Sequence, residues 1–311
     1  MRERRENIDG VKNNSLNSIA TPYFLANLGV KTAVISFSVS ALTQPFQAIL
    51  TRLQLPSGAP SALSGGMFRG FYRGFVPYAI AGQKRGAVAV TAKHTNKAVE
   101  EEEIEIPSRQ RWLAPFLFSQ GDLLVSNGLG NKSKLMLADI VTPTNFKWTF
   151  PNFLQLTKVN WGARSIAGFI NFSALGFMGD RIGSLYNFNN GLYNNLAAGA
   201  TAGVIATFFT TIPNCYADKK LLASKMENGR LLAVSPFTMF SQMKSHVKNV
   251  GLSEAFSTFA KYNFLKEVLI RSPQSALTFS IIFGLDHLMG AEPLKKVWPC
   301  ESADQTRTPK L

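Results

Sequence analysis

A chain of 311 residues could form one to three soluble domains, and its mean hydropathy near zero does not separate soluble from membrane proteins. Its formal net charge of +14 would suit a nucleic-acid binder, but aromatic and basic residues are not interleaved in any RNA- or DNA-binding motif. Two cysteines exclude a disulfide framework, and the charged N-terminal segment predicts neither a signal peptide nor a transit peptide.

Long stretches without a charged residue are the most informative feature of the sequence. Residues 32–51 and 182–217 form uncharged runs of 20 and 36 residues, and residues 165–179 and 272–285 add 15 and 14 more. A helix needs about 20 mostly apolar residues to cross a bilayer. Basic residues such as Arg52 gather at the ends of these runs, where they favour anionic lipid surfaces. The pattern predicts an integral membrane protein.

Six long helices are predicted in chain order. They cover residues 22–54, 72–98, 109–138, 160–187, 191–225 and 260–290, between polar tails at 1–21 and 293–311. Residues 97–109 are predicted to be a solvated polar link because they carry a run of glutamates, and residues 235–259 are predicted to form short surface helices. Small residues at Gly199, Gly203 and Thr207 predict a close helix contact on the fifth helix, and Gly29 with Ala33 predicts a weaker one on the first.

Three similar segments recur along the chain. Each closes an apolar run and has an anchor residue at Pro45, Asn127 or Pro213, at spacings of 82 and 86 residues. Seven residues after each anchor stands a base, namely Arg52, Lys134 and Lys220. The recurrence predicts three repeats of about 85–100 residues, each of two long helices joined by a short amphipathic one. We divide the chain into repeats at 22–107, 108–190 and 191–292.

The period and the Pro-x-x-x-x-x-x-base spacing resemble the mitochondrial carrier family, most clearly at Pro45–Gln54 followed by Phe71–Pro77. The resemblance implies an all-α protein with six transmembrane helices around a central cavity. It also implies a multi-pass monomer of the mitochondrial inner membrane, contacts with anionic lipids such as cardiolipin, and both termini on the intermembrane-space side. A microbial mimic delivered to host mitochondria would share these features.

The resemblance implies gates at both ends of the cavity, although most of the family's charged gate positions hold other residues here. On the matrix side Gln47, Leu129 and Cys215 stand where the family has acids, and only Lys132 and Asp218 could pair. We therefore predict that Lys132 and Asp218 pair when the cavity opens outward, beside the helix-bending Pro45 and Pro213. At the other end, Lys97 and Asp180 are the predicted pair.

Charged residues inside the helices are candidate substrate contacts, because such groups are costly in a membrane. The candidates are Lys84, Arg85, Asp122, Arg164 and Arg271. Four bases against one acid predict an anionic solute, and the expected solute is an adenine nucleotide or another phosphate-bearing metabolite. Arg271 is expected to be the main charge contact, since it lies close to a substrate-binding arginine of the family. Gly168 and Phe169 resemble the pair that nucleotide carriers place beside adenine.

Two other classes of function are weighed against transport. The chain has three histidines and no nucleophile elbow, Gly-rich phosphate loop or metal-ligand spacing, so we expect no enzymatic activity, no cofactor and no bound metal. A non-transporting scaffold or adaptor on the same fold is the more serious alternative, because so many gate charges are replaced. We also expect no nucleic-acid partner.

Overall fold

The computed structural model describes residues 22–55, 66–101, 108–290 and 292–295, and describes no side chains at 67, 90–101, 108–111 and 179–180. The chain is mostly helical. Its helices are α1 (Pro22–Gln54), α2 (Met67–Phe71), α3 (Phe75–Glu101), α4 (Ser108–Leu137), α5 (Phe150–Lys158), α6 (Trp161–Ser173), α7 (Gly179–Gly183), α8 (Gly191–Leu222), α9 (Pro236–Val250), α10 (Leu252–Thr258) and α11 (Leu265–Met289). Two π-helical turns, Ala174–Met178 and Phe259–Phe264, join α6 to α7 and α10 to α11.

The long helices form a closed ring. Helix α1 packs against α3, α3 against α4, α4 against α6, α6 against α8, and α8 against α11, which returns to α1. Within the described residues, three helical segments are long and apolar enough to cross a membrane: Pro22–Gln54, Gly191–Leu222 and Leu252–Met289. The other long helices carry more polar residues, since part of their surface faces the inside of the ring.

Prolines lie inside the helices without breaking them. A proline removes one backbone donor, so the carbonyl four residues earlier loses its partner. At Pro45 this carbonyl belongs to Ala41, and the hydroxyl of Tyr72 donates a hydrogen bond to it at 3.1 Å. Membrane helices tolerate proline when a neighbouring group satisfies the freed carbonyl in this way.

Short elements close one end of the ring. Helix α5 begins at the Thr149 cap, whose side chain accepts a hydrogen bond from the Asn152 amide, and it packs on α4. A hairpin of β1 (Lys225–Glu227) and β2 (Arg230–Leu232) follows α8. The side chain of Asn152 donates to the Gly229 carbonyl at 2.8 Å and accepts from the Leu231 amide at 3.0 Å. These bonds join the hairpin to α5 over a buried apolar cluster that includes Leu135, Leu156 and Leu221.

Candidate functional site

A cavity of about 270 Å³ lies inside the ring, lined by residues of α1, α3, α4, α6, α8 and α11. Many of its lining residues are small or polar, such as Ser36, Ser40 and Thr210. Four cations and one carboxylate also line it: Arg85, Lys134, Arg164, Arg271 and Asp122. A pocket with few, convergent charged groups is the usual form of a small-molecule site.

Arg85 is the most accessible cation of the cavity. Its Nε lies 3.2 and 3.3 Å from the carboxylate oxygens of Asp122 on α4, and its Nη2 donates to Ser126 Oγ at 3.3 Å. The Arg85 side chain is 53% exposed, whereas Asp122 is 10% exposed. The guanidinium therefore keeps donors free to contact a solute while Asp122 fixes its position.

The deep end of the cavity is closed by a buried charge cluster centred on Asp218 of α8. Lys134 of α4 lies 2.5 Å from Asp218, Arg164 of α6 lies 2.6 Å away, and Arg271 of α11 lies 2.5 Å away. Arg271 also contacts Glu267 at 2.8 Å. Asp218 and Lys134 are each 1% exposed. Four helices are thus tied together at one carboxylate.

Two uncharged side chains complete the cluster. Gln54, at the end of α1, donates to Asp218 Oδ2 at 3.3 Å and to Glu267 Oε1 at 2.9 Å. Asn214 accepts a hydrogen bond from Arg164 at 2.6 Å. A buried ion pair is favourable only when its remaining donors and acceptors are also satisfied, which these amides help to achieve.

The predicted pairing of Lys132 with Asp218 is wrong in this structure. Lys134 occupies the place beside Asp218, while the Lys132 ammonium lies over the rings of Phe146 and Trp148, at 4.9 and 4.2 Å from their centres. Lys132 and Lys134 are two residues apart on one helix, so their side chains point to nearly opposite sides. Pro45 and Pro213 are half-buried within α1 and α8, close in sequence to the cluster.

Arg271 lies at the cavity as predicted, but it is already paired. Its guanidinium is 8% exposed and contacts both Asp218 and Glu267. Lys84 is exposed and is not a lining residue of the cavity, although its neighbour Arg85 is. Arg164 and Asp122 both line the cavity.

Gly168 and Phe169 do not form a surface on which a base could stack. Phe169 is not a lining residue, and its ring lies 6.0 Å from that of Trp112. Gly168 does line the cavity, but a Cβ there would come within 2.6 Å of Ser119 Oγ, so the glycine permits close packing of α6 on α4. The side chains of Lys97 and Asp180 lie outside the part of the chain that the structure describes.

Sequence reasoning missed several charged and polar partners. Glu267 and Asn214 belong to the Asp218 cluster but fall at no motif position, and Gln54, which ends the Pro45–Gln54 match, was given no role. Lys31 and Asp286, 2.5 Å apart, join α1 to α11 near the opposite end of these helices. A signal for this pair was present, because both charges border the uncharged runs that predicted the first and sixth helices.

Comparison with known proteins agrees with this architecture. Residues 23–299 match the family model described as mitochondrial SLC25 homolog. The chain belongs to the mitochondrial carrier family. This carrier is 60% identical over 301 residues to a protein of Legionella pneumophila named "Serine protease Lpg1137", covering 96% of this chain and 92% of that relative. No solved structure shows significant similarity to it.

As a member of this family, the protein is in broad terms a mitochondrial carrier-type transporter. Apolar helices and the family together indicate a multi-pass mitochondrial membrane protein.

Proposed function

We propose that this carrier moves a small anionic metabolite across the mitochondrial inner membrane by alternating access. The observation that carries the proposal is the cavity, which lies inside a ring of helices and is lined by four cations. Charged groups within membrane helices are rare, face the bundle interior or a cavity, and mark solute pathways. We therefore keep the prediction, made from the sequence, that the solute is an anion.

The charge balance around the cavity supports an anion. Its four cations face three carboxylates, Asp122, Asp218 and Glu267, which leaves a net charge of +1. A site with excess positive charge and low-dielectric walls attracts negative solutes. Arginine donors fit phosphate or carboxylate oxygens in pairs, so either group could be recognised.

The size of the cavity favours a small solute. At about 270 Å³ it lies just below the range of roughly 300–1,000 Å³ that is usual for sites of drug-sized ligands. Phe169 packs on Trp112 and does not line the cavity, so the sequence argument for an adenine base beside α6 no longer holds. We therefore favour a compact phosphate- or carboxylate-bearing metabolite over an adenine nucleotide.

The Asp218 cluster suggests how binding could be coupled to opening. Arg164 and Arg271 line the cavity and are also ion-pair partners of Asp218. An anion that reaches these guanidiniums competes with Asp218 for the same donors. Binding would then weaken the contacts that hold α4, α6, α8 and α11 together, and the buried end could open.

Uptake into liposomes tests the transport proposal. We expect Arg85→Ala to reduce uptake of the preferred anion by about tenfold or more, because a charge-assisted contact is lost. Lys84→Ala is the matched control, since it removes one positive charge from the adjacent residue outside the cavity. The screen should include phosphate, small carboxylates and adenine nucleotides.

Three results would contradict the proposal. Equal losses in both variants would show that the cavity arginine has no special role. Transport of a neutral or cationic solute would exclude an anion site. The absence of uptake for every solute, in a well-folded reconstituted protein, would favour the alternative of a non-transporting scaffold or adaptor.

A second candidate function is proteolysis, because the 60% identical relative is named a serine protease. A serine protease generally needs a serine activated by a base, commonly histidine. In the described part of the chain, neither His246 nor His287 forms a hydrogen bond with a serine hydroxyl. We therefore rank proteolysis below transport.

A fluorophosphonate probe separates the two functions. If the carrier is not an enzyme, the native protein should react no more than the heat-denatured protein. Labelling of one serine in the native state only, located by mass spectrometry, would establish a reactive nucleophile and favour proteolysis.

A further inference from the structure

A second pocket lies on the outer side of α8, away from the central cavity. It is a groove of about 460 Å³ between the end of α8, helices α9 and α10, and the π-helical turn at Phe259–Phe264. Helix α8 lines the cavity with Thr210 and Asn214, but it lines the groove with Ile212, Cys215 and Tyr216. The two sites therefore use different faces of one helix.

The groove wall is apolar almost throughout. Its residues include Met239, Met243, Val247 and Phe256 from α9 and α10. Methionine and phenylalanine side chains favour an aliphatic occupant, and methionine adapts its shape to the chain it contacts. Water gains little in such a space because few polar partners are available to it.

The short helix α5 packs on its long helix without leaving such a space. Helix α5 seals against its long helix, with Leu156 and Asn152 buried to 0% and 1% exposure. Helix α9 has no buried residue, and Met243 remains 54% exposed although it faces the groove. An apolar molecule between α8 and α9 would bury the apolar face of α9, as direct packing buries that of α5.

The groove contains a single lysine among its described lining residues. Lys219 lines it and donates a hydrogen bond to Asn263 at 2.9 Å, but it forms no ion pair with any described carboxylate. The site therefore combines an apolar wall with one ammonium that forms no ion pair with a described carboxylate.

We propose that this groove binds a long-chain carboxylate, with its alkyl chain between α8 and α9 and its carboxylate at Lys219. Lys219 supplies one positive charge to match one carboxylate, and the apolar side chains of the groove would contact the alkyl chain. The π-helical turn beside it fits this role, since such turns occur frequently at functional sites. The site does not depend on the proposed transport of a small anion, which uses the opposite cavity.

Photo-crosslinking tests the proposal. The whole carrier is placed in phosphatidylcholine nanodiscs and labelled with a diazirine-bearing palmitate, and the labelled residues are located by mass spectrometry. We expect saturable labelling at Met243 and Val247, displaced by palmitate and not by methyl palmitate. Phe209, 62% exposed on α8 and outside the groove, reports contact with bulk lipid.

Two pairs of variants locate the site. Lys219→Gln should weaken labelling about tenfold, because a charge-assisted contact is lost, while Lys248→Gln removes a charge from α9 outside the groove and should have little effect. Met243→Trp should block the groove. Phe240→Trp, at a 68% exposed position of α9 that does not line the groove, is its control.

The proposal is overturned by any of three results. Labelling at Phe209 as strong as at Met243 would mean that only bulk lipid is contacted. Displacement by phosphatidylglycerol as efficient as by palmitate would assign the groove to a phospholipid. Unchanged labelling in Lys219→Gln, with the groove still labelled, would exclude the carboxylate contact.

Discussion

Asp218 on α8 shows how a single buried residue can organise a membrane protein. Its carboxylate contacts cations from three other helices, Lys134, Arg164 and Arg271, and it is 1% exposed. An isolated buried charge is very costly, and removal of one partner from a buried pair leaves the other uncompensated. The stability of the closed end therefore depends on which residues contact this carboxylate.

We predict that Lys134→Met destabilises the protein more than Lys132→Met. Loss of the buried Lys134 ammonium should cost about 1.5–3 kcal/mol, because Asp218 loses one charge-assisted contact in a desolvated site but keeps those of Arg164 and Arg271. Lys132 contacts only aromatic rings among the described residues, so its loss should cost about 0.5–1 kcal/mol. Thermal unfolding of the detergent-solubilised protein measures both, and a larger loss for Lys132→Met would contradict the structure.

The sequence could locate the candidate site but not its pairing. Apolar runs placed Arg85, Asp122, Arg164 and Arg271 inside the helices, and all four line the cavity. The pairing depends on helix rotation, where a shift of two residues turns a side chain by roughly 200° and replaces Lys134 with Lys132. Glu267 could have been paired with Arg271 from their i,i+4 spacing, but its place in the Asp218 cluster depends on how four helices pack.

At the scale of the helices, close contacts at two glycines set the distance between α8 and α11. A Cβ at Gly199 would lie 2.6 Å from the Phe279 carbonyl oxygen, and one at Gly203 would lie 2.5 Å from that of Ser275. These contacts are with the backbone of α11, which cannot move aside as a flexible side chain can. The predicted close contact on the fifth helix is confirmed. At Gly29 a Cβ would meet nothing within 4 Å, so the weaker contact predicted on the first helix is wrong.

Substitution by alanine should distinguish these glycines. We expect Gly203→Ala to destabilise the carrier by about 1–3 kcal/mol, because the added methyl group overlaps the α11 backbone. Gly29→Ala should be neutral or stabilising by up to about 1 kcal/mol, since alanine favours the helix and the space is open. Melting temperatures measured in one detergent compare the two. Equal destabilisation would mean that α8 and α11 are less closely packed than described.

Most elements were predictable because their signals are local. The first helix was predicted at 22–54 and spans Pro22–Gln54, and the fifth was predicted at 191–225 and spans Gly191–Leu222. The end of the fifth was placed too late because the β hairpin was missed. Asn228 and Gly229 have φ of 50° and 74°, and an Asn-Gly pair is a strong hairpin signal that could have revealed it.

Contacts between the first and last long helices complete the ring at the scale of the whole molecule. Lys31 of α1 lies 2.5 Å from Asp286 and donates to the Gly290 carbonyl at 2.8 Å. The Asn27 side chain accepts a hydrogen bond from the Leu294 amide at 2.8 Å. Residues more than 250 positions apart in the sequence are thus in contact. The start of the first long helix and the end of the last therefore lie at the same rim of the ring.

Parity then predicts the orientation of the chain in the membrane. If all six long helices cross the bilayer, both termini face the same compartment, whereas the hairpin after the fifth crossing faces the other. A short epitope inserted in the Asn228–Gly229 turn should be tolerated, since exposed turns accept insertions. In mitochondria with a ruptured outer membrane, we expect protease to remove N- and C-terminal tags and to spare the hairpin tag until the inner membrane is lysed. Termini on opposite sides, or a hairpin tag removed together with them, would rule out six crossings.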